Sequence, residues 1–215
     1  MPPKILYFDL GKVLVEFSHE IMCRQMAEVA GITTEAVHEA LFGDAENLAA
    51  LVRYETGHMS TDQFFDHFCR VTGTAPDRKQ LSIAVCDIFH PIEPMFALVR
   101  RLADAGNRLA ILSNTNPLQW EYLCDGRHPL LAVGSAASPF AWAIVSYEAG
   151  SMKPDRRIYE TAVERAGVLP QDVFFTDDRL ENVAGAQAGG IDAVQFDGVD
   201  SLVAELRERN VPGTD

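Results

Sequence analysis

KILYFD at 4–9, RLAILSN at 108–114 and DVFFTDD at 172–178 follow one design. Each is a short unbroken apolar run that ends in a polar or acidic cluster. An alternating pattern would mark a strand wet on one face. An unbroken run marks one covered on both, delivering polar side chains at its C-terminal end. AWAIVS at 141–146 and IDAVQF at 191–196 are weaker strands. Helical patterns lie at 94–105, 154–166 and 180–188, and they stop at Gly106, Gly167 and the Gly189-Gly190 pair. Glycine just past a helix accepts the left-handed conformation that ends it. Strand and helix in alternation specify an α/β fold, a parallel sheet covered on both faces.

Residues 16 to 90 read differently. Amphipathic stretches at 20–30, 34–42, 45–54, 61–71 and 77–89 are separated by Gly31, Gly43, Gly57 and Gly73. Ser60 to Gln63 carries a capping-box signal, and no strand pattern interrupts the helices. This block, inserted after the first strand, predicts a small helical cap over the sheet. The parent α/β domain is then 1–15 and 91–215. Phe64, Phe65 and Phe68 fall at helical spacing with Val71 and read as the core of the cap.

The 215 residues are 47% hydrophobic and 23% charged, as in a folded chain. Eighteen basic against 31 acidic residues give a net charge of −13. That charge repels phosphate backbones and anionic membranes, and no basic patch offsets it, so neither nucleic acid nor membrane is an expected partner. Cys23, Cys69, Cys86 and Cys124 show no CxxC or Cys/His spacing and read as reduced, packed thiols. The run from Ile5 to Phe8 is too short for a signal peptide, and no run approaches the roughly 18 apolar residues of a membrane span. The expectation is a soluble cytoplasmic protein. Monomer and homodimer both stay open, because Trp120, Tyr122 and 129–133 suit either an exposed patch or a packed loop.

In doubly wound folds, ligands bind beyond the carboxyl ends of the strands. Here those ends carry Asp9, Ser113-Asn114 and Asp177-Asp178, and Lys153 stands in SMKPD just before a helix. Gathered carboxylates resist ionising together. A divalent cation removes that penalty, and oxygen ligands with open positions suit magnesium. An aspartate at a strand end then serves as a nucleophile. Lysine and metal neutralise an incoming phosphoryl group, while Ser113 and nearby N–H groups hold its oxygens. Each piece alone reads as a cap, a turn or a solvated lysine; the four in this order are far more specific.

YFDLGKVLVEF, LAILSNTNP, SMKPDRRIY and VFFTDDRLENVAGAQAGG resemble, in order, the four signature motifs of the haloacid dehalogenase superfamily. The resemblance covers nearly the whole parent domain. It implies a Rossmann-like, doubly wound parallel sheet with an inserted all-helical cap, and a magnesium-dependent phosphatase that passes through an aspartyl-phosphate. On this resemblance Asp9 is the nucleophile and a metal ligand. Ser113, helped by the backbone around Asn114, binds the phosphoryl group, and Lys153 neutralises nucleophile and phosphate. Asp178 binds magnesium, with Asp177 beside it either a ligand or acting through water. Asn182 stands where many members have a further Asp and supports that loop. The DLG-x-V opening resembles a bacterial subgroup related to α-D-glucose-1-phosphate phosphatase.

One departure matters. Most phosphatases of the superfamily carry a second Asp two residues after the nucleophile, which protonates the leaving alcohol and later activates water. Here that position is Gly11, and Lys12 replaces the usual following glycine. Gly11 retains a backbone carbonyl for magnesium but transfers no proton. Three readings follow: an active phosphatase favouring small sugar phosphates, a 2-haloacid dehalogenase, and a catalytically weak binding or regulatory protein. The acidic pair Asp177-Asp178 argues against the dehalogenase. If no group replaces the missing acid, leaving groups that tolerate negative charge are preferred. If the cap replaces it, His19, His58, His67 and His90 are the candidates. Lys12 and Arg179 each read either as site cations or as solvated side chains.

Overall fold

The computed structural model describes residues 2–215. The chain opens with strand β1 (Ile5–Phe8) and a two-residue strand β2 (Val15–Glu16). Five helices follow: α1 (His19–Ala30), α2 (Thr34–Phe42), α3 (Ala45–Glu55), α4 (Thr61–Thr72) and α5 (Arg78–Cys86). Strand β3 (His90–Pro91) then pairs antiparallel with β2 where the chain returns. The remainder alternates: α6 (Glu93–Asp104), β4 (Leu109–Ser113), α7 (Pro117–Cys124), β5 (Phe140–Val145), α8 (Ser146–Ala149), α9 (Arg156–Ala166), β6 (Val173–Asp177), α10 (Leu180–Ala188), β7 (Asp192–Gln195) and α11 (Val199–Glu208).

The large sheet is wholly parallel in the order β5-β4-β1-β6-β7, so the fold is α/β and doubly wound, with the first strand central. Successive residues of β1 serve opposite faces. Leu6 and Phe8 pack with Leu98 and Leu102 of α6 and with Leu202 and Leu206 of α11. Ile5 and Tyr7 pack with Ile158 and Ala162 of α9 and with Ala186 of α10. A third apolar cluster belongs to the inserted helices and contains Met22, Met26, Val37, Phe64, Phe65 and Phe68. The five inserted helices are all-helical as expected, and Ser60 and Gln63 form the capping box.

The last predicted cap helix is shorter than its pattern. It ends at Cys86, and the chain then turns to extend into β3, where Pro91 has no N–H to continue a helix. Helix α9 likewise starts at Arg156 rather than 154, behind the N-cap Asp155. Three helices escaped the periodicity, α7, α11 and the single turn α8. Helix α7 is nearly apolar all round, with Trp120 packed against the parent core and Tyr122 against the cap. Helix α11 follows Gly198 and buries Leu202 and Leu206, an amphipathic spacing that was there to be read. Leu130 and Leu131 are buried, so 129–133 is packed. All four cysteines are free. Among the described residues no helix is long and apolar enough to cross a membrane.

Candidate active site

Adjacency in the sheet builds the site. Strands β4, β1 and β6 lie side by side, and their C-terminal ends bring Ser113, Asp9 and Asp177-Asp178 together. Lys153 arrives from the loop between α8 and α9, clasped by Asn114. The Asn114 Oδ1 accepts the Lys153 backbone N–H at 2.8 Å, and its Nδ2 donates to the Lys153 carbonyl at 2.9 Å. The turn after β4 is held by Ser146, whose hydroxyl accepts from the Thr115 N–H and donates to its carbonyl, both at 3.0 Å.

Lys153 is buried and uses all its donors within the chain. Its Nζ lies 2.7 Å from Asp9 Oδ1 and 2.6 Å from Asp177 Oδ2, and it donates to the Leu112 carbonyl at 2.9 Å. Asp177 has no exposed side-chain surface. Its Oδ1 accepts from the Arg179 N–H and from Asn182 Nδ2, each at 2.9 Å, and Asn182 also reaches Oδ2 at 3.1 Å. Asp177 therefore holds the lysine and the loop that follows β6. Asn182 is fixed in turn, its carbonyl accepting the Tyr159 hydroxyl at 2.7 Å.

One oxygen each of Asp9, Asp177 and Asp178 lie within 4.8 Å of one another. Three carboxylates against one ammonium leave an excess of negative charge out of water. Burial first, and Asp177 after it, push the Asp9 carboxyl up to about 7 against the pull of Lys153. Asp178 is raised by the same two causes, burial first and then Asp177. A hard divalent cation with oxygen ligands fits this donor set, because it cancels the excess charge that the lysine alone leaves.

The cluster lies at a cavity of about 280 Å³. Ser113, Asn114, Lys153, Asp178 and Asn182 line it from the sheet, with Gly11, Lys12 and Arg179; Asp177 does not. Phe17, His19, Leu51 and Glu55 line it from the inserted block. Gly11 lies beneath the Phe17 ring: a Cβ at this position would lie 2.6 Å from Phe17 Cε1. Lys12 has φ +60°, the left-handed region that favours glycine, and pairs with Glu16 at 2.7 Å while its ammonium sits over the Phe17 ring. Arg179 faces the cavity yet pairs with the exposed Glu181.

Of the four candidate histidines, His19 alone lines this cavity. His67 is buried in the cap and bonded to Asn47 at 2.9 Å, His58 bonds Thr56 at 3.0 Å, and His90 lies in β3. Sequence reasoning missed Glu55. It looks like one more polar position at the end of an amphipathic helix, and only the way α3 docks turns it inward.

The family model for haloacid dehalogenase-like hydrolases matches residues 3–190. A glyceraldehyde 3-phosphate phosphatase of Methanopyrus kandleri is 27% identical over 210 residues, 90% of this chain and 83% of that one. A chloroplast flavin mononucleotide hydrolase of Arabidopsis thaliana is 26% identical over 160 residues, 74% of this chain and 62% of the relative. The crystal structure of BT-2542, a haloacid dehalogenase family enzyme of Bacteroides thetaiotaomicron, superposes with a TM-score of 0.78 at 24% identity. It covers 93% of this chain and 97% of its own, and the same enzyme has been crystallised with magnesium and inorganic phosphate. The clustered side chains and these likenesses agree: the chain belongs to the haloacid dehalogenase-like hydrolases, as a hydrolase of their phosphatase type.

Proposed function

We propose that the chain is a magnesium-dependent phosphatase hydrolysing a small phosphorylated metabolite, a sugar phosphate first, through an aspartyl-phosphate on Asp9. The observation that carries this reading is the buried Asp9–Lys153 pair, 2.7 Å apart, beside two further carboxylates at a metabolite-sized cavity. Asp9, the Gly11 carbonyl and Asp178 would hold magnesium, with Asp177 behind them. When bound, the ion neutralises the carboxylate cluster and polarises the phosphoryl group.

The chain's own residues do the rest. The Leu10 N–H and Lys153 both engage Oδ1 of Asp9, so the other oxygen is left to attack phosphorus. Lys153 keeps the attacking carboxylate ionised and oriented. Ser113 and the backbone around Asn114 receive the phosphoryl oxygens. The inserted helices close over the cavity and exclude water from the transfer. A cavity of this size beneath the inserted helices suits a free metabolite and disfavours a protein or nucleic acid as substrate.

The test is hydrolysis of p-nitrophenyl phosphate with and without magnesium by the native chain and by Asp9→Asn. Magnesium-dependent turnover that Asp9→Asn abolishes is the expected result. No turnover under any metal condition, or full turnover by Asp9→Asn, overturns the proposal.

A further inference from the structure

An alkoxide is a poor leaving group, so ester hydrolysis calls for a proton at the departing oxygen. The acids that line the cavity are few. Asp9 is tied to Lys153, and Asp178 belongs to the metal cluster. His19 and Glu55 remain. The floor near Asp9 offers no other acid, because position 11 is glycine and the Phe17 ring fills the space above it.

Glu55 is supplied by the cap. It is the last residue of α3, and it also lines a smaller apolar cavity within the cap, together with Met26, Phe64 and Phe65. The two cavities share His19, Leu51, Glu55 and Gln119, so Glu55 stands at the neck between the phosphate end and the cap. Its neighbours on both sides are fixed. Tyr54 is buried, stacked on Phe64 at 4.6 Å and bonded to Thr61 at 2.9 Å. Gly57 seats against α8 so closely that a Cβ would lie 2.1 Å from the Tyr147 carbonyl oxygen.

We propose that Glu55 is the acid and base of the reaction, supplied by the cap in place of a side chain at position 11. This rests on the phosphatase reading above. In the first step an Asp9 oxygen forms the bond to phosphorus, the ester P–O bond breaks, and the Glu55 proton passes to the leaving oxygen. In the second, the Glu55 carboxylate takes a proton from water as its oxygen attacks phosphorus. The bond to Asp9 breaks and phosphate leaves, with Asp9 ionised and Glu55 protonated again.

The protonation state agrees. Burial pushes Glu55 up to about 7 against the pull of Arg179, whereas burial and Lys12 hold His19 below its ordinary value. Near neutrality Glu55 therefore carries a proton to give and His19 does not. The other charged groups that line the larger cavity are Asp9, Lys12, Lys153 and Asp178. Tyr147 and Glu148 of α8, against which α3 packs, bond each other at 3.1 Å. On the cap side α2 and α4 pack against α3, but His67 bonds Asn47 and Arg70 pairs with Glu46, at the opposite end of α3 from Glu55.

The experiment is first-turnover release of the leaving group from benzyl phosphate and from p-nitrophenyl phosphate, with magnesium. The native chain, Glu55→Gln, His19→Ala and Asp9→Asn are compared. Glu55→Gln is expected to slow benzyl alcohol release by about 10²–10³-fold and p-nitrophenolate release by at least tenfold less. The native benzyl rate falls as pH rises through about 7, where Glu55 loses its proton, and Glu55→Gln loses that limb. Equal slowing of both esters by Glu55→Gln, no slowing of either, or the selective loss appearing in His19→Ala instead overturns the role of Glu55. Undiminished release by Asp9→Asn, or a native chain inert toward both esters, overturns the phosphatase reading itself.

Discussion

Replacing Gly57 with alanine should unseat the cap from the sheet. Gly57 has φ +73°, where a side chain costs about 1–2 kcal/mol. It also lies under the Tyr147 carbonyl, and the added Cβ would lie 2.1 Å from that oxygen, where 3.0 Å is the practical floor. The α3–α8 contact must therefore open by about 1 Å, carrying Glu55 with it; displacement on that scale costs on the order of 10²-fold in rate. Gly73 is the control. Its φ is +68° with nothing within 4 Å of an added Cβ, so Gly73→Ala takes the backbone penalty without the collision. Gly73→Ala should melt about 2–8 °C below the native chain, and Gly57→Ala lower still. Only Gly57→Ala should lose about 10²-fold in kcat/KM toward benzyl phosphate, whose leaving group needs the Glu55 proton. Native kcat/KM in Gly57→Ala, or the same loss in Gly73→Ala, would refute the reasoning that the cap is seated at this contact.

Three further outcomes follow from the site. Asp177→Ala leaves Lys153 paired with Asp9 but takes the acceptor from the Arg179 N–H and Asn182 Nδ2, and should cost about 1–3 kcal/mol of stability, read by denaturant unfolding; no loss contradicts the role given to Asp177. Lys12→Gly should raise stability by up to about 1 kcal/mol, because relief of the left-handed backbone outweighs an exposed pair with Glu16 worth about 0.2–1 kcal/mol. Magnesium at about 100 times its Kd should stabilise the native chain by about 2.7 kcal/mol. Asp178→Asn should lose most of that shift, and an equal shift in both would remove Asp178 from the metal site.

The parent fold was legible because a doubly covered parallel strand leaves an unbroken apolar run, and the runs at 4–9, 108–114 and 172–178 are β1, β4 and β6. Their polar ends were legible for the same reason: the strands that carry them are neighbours, so residues more than a hundred positions apart meet at one edge. Helix α7 was hidden because an element covered by both the parent core and the cap has no polar face to give it a period. The β2–β3 ribbon was hidden because two residues make no pattern. Glu55 was hidden for a different reason. Helical spacing says which face is polar, but whether a polar residue meets solvent or a cavity depends on how the helix docks. Position 57 held the only trace: its glycine marked a helix stop, while its close approach to Tyr147 appears only in three dimensions.

The central claim is that Asp9 is the atom donor to phosphorus. The most direct measurement is acid quenching of the enzyme during turnover of p-nitrophenyl phosphate with magnesium, followed by peptide mass spectrometry. The account predicts one phosphoryl group on the peptide containing Asp9, absent without magnesium and absent in Asp9→Asn. Turnover at the native rate with no phosphoryl group on that peptide at any quench time, or with the group on another residue, would contradict it.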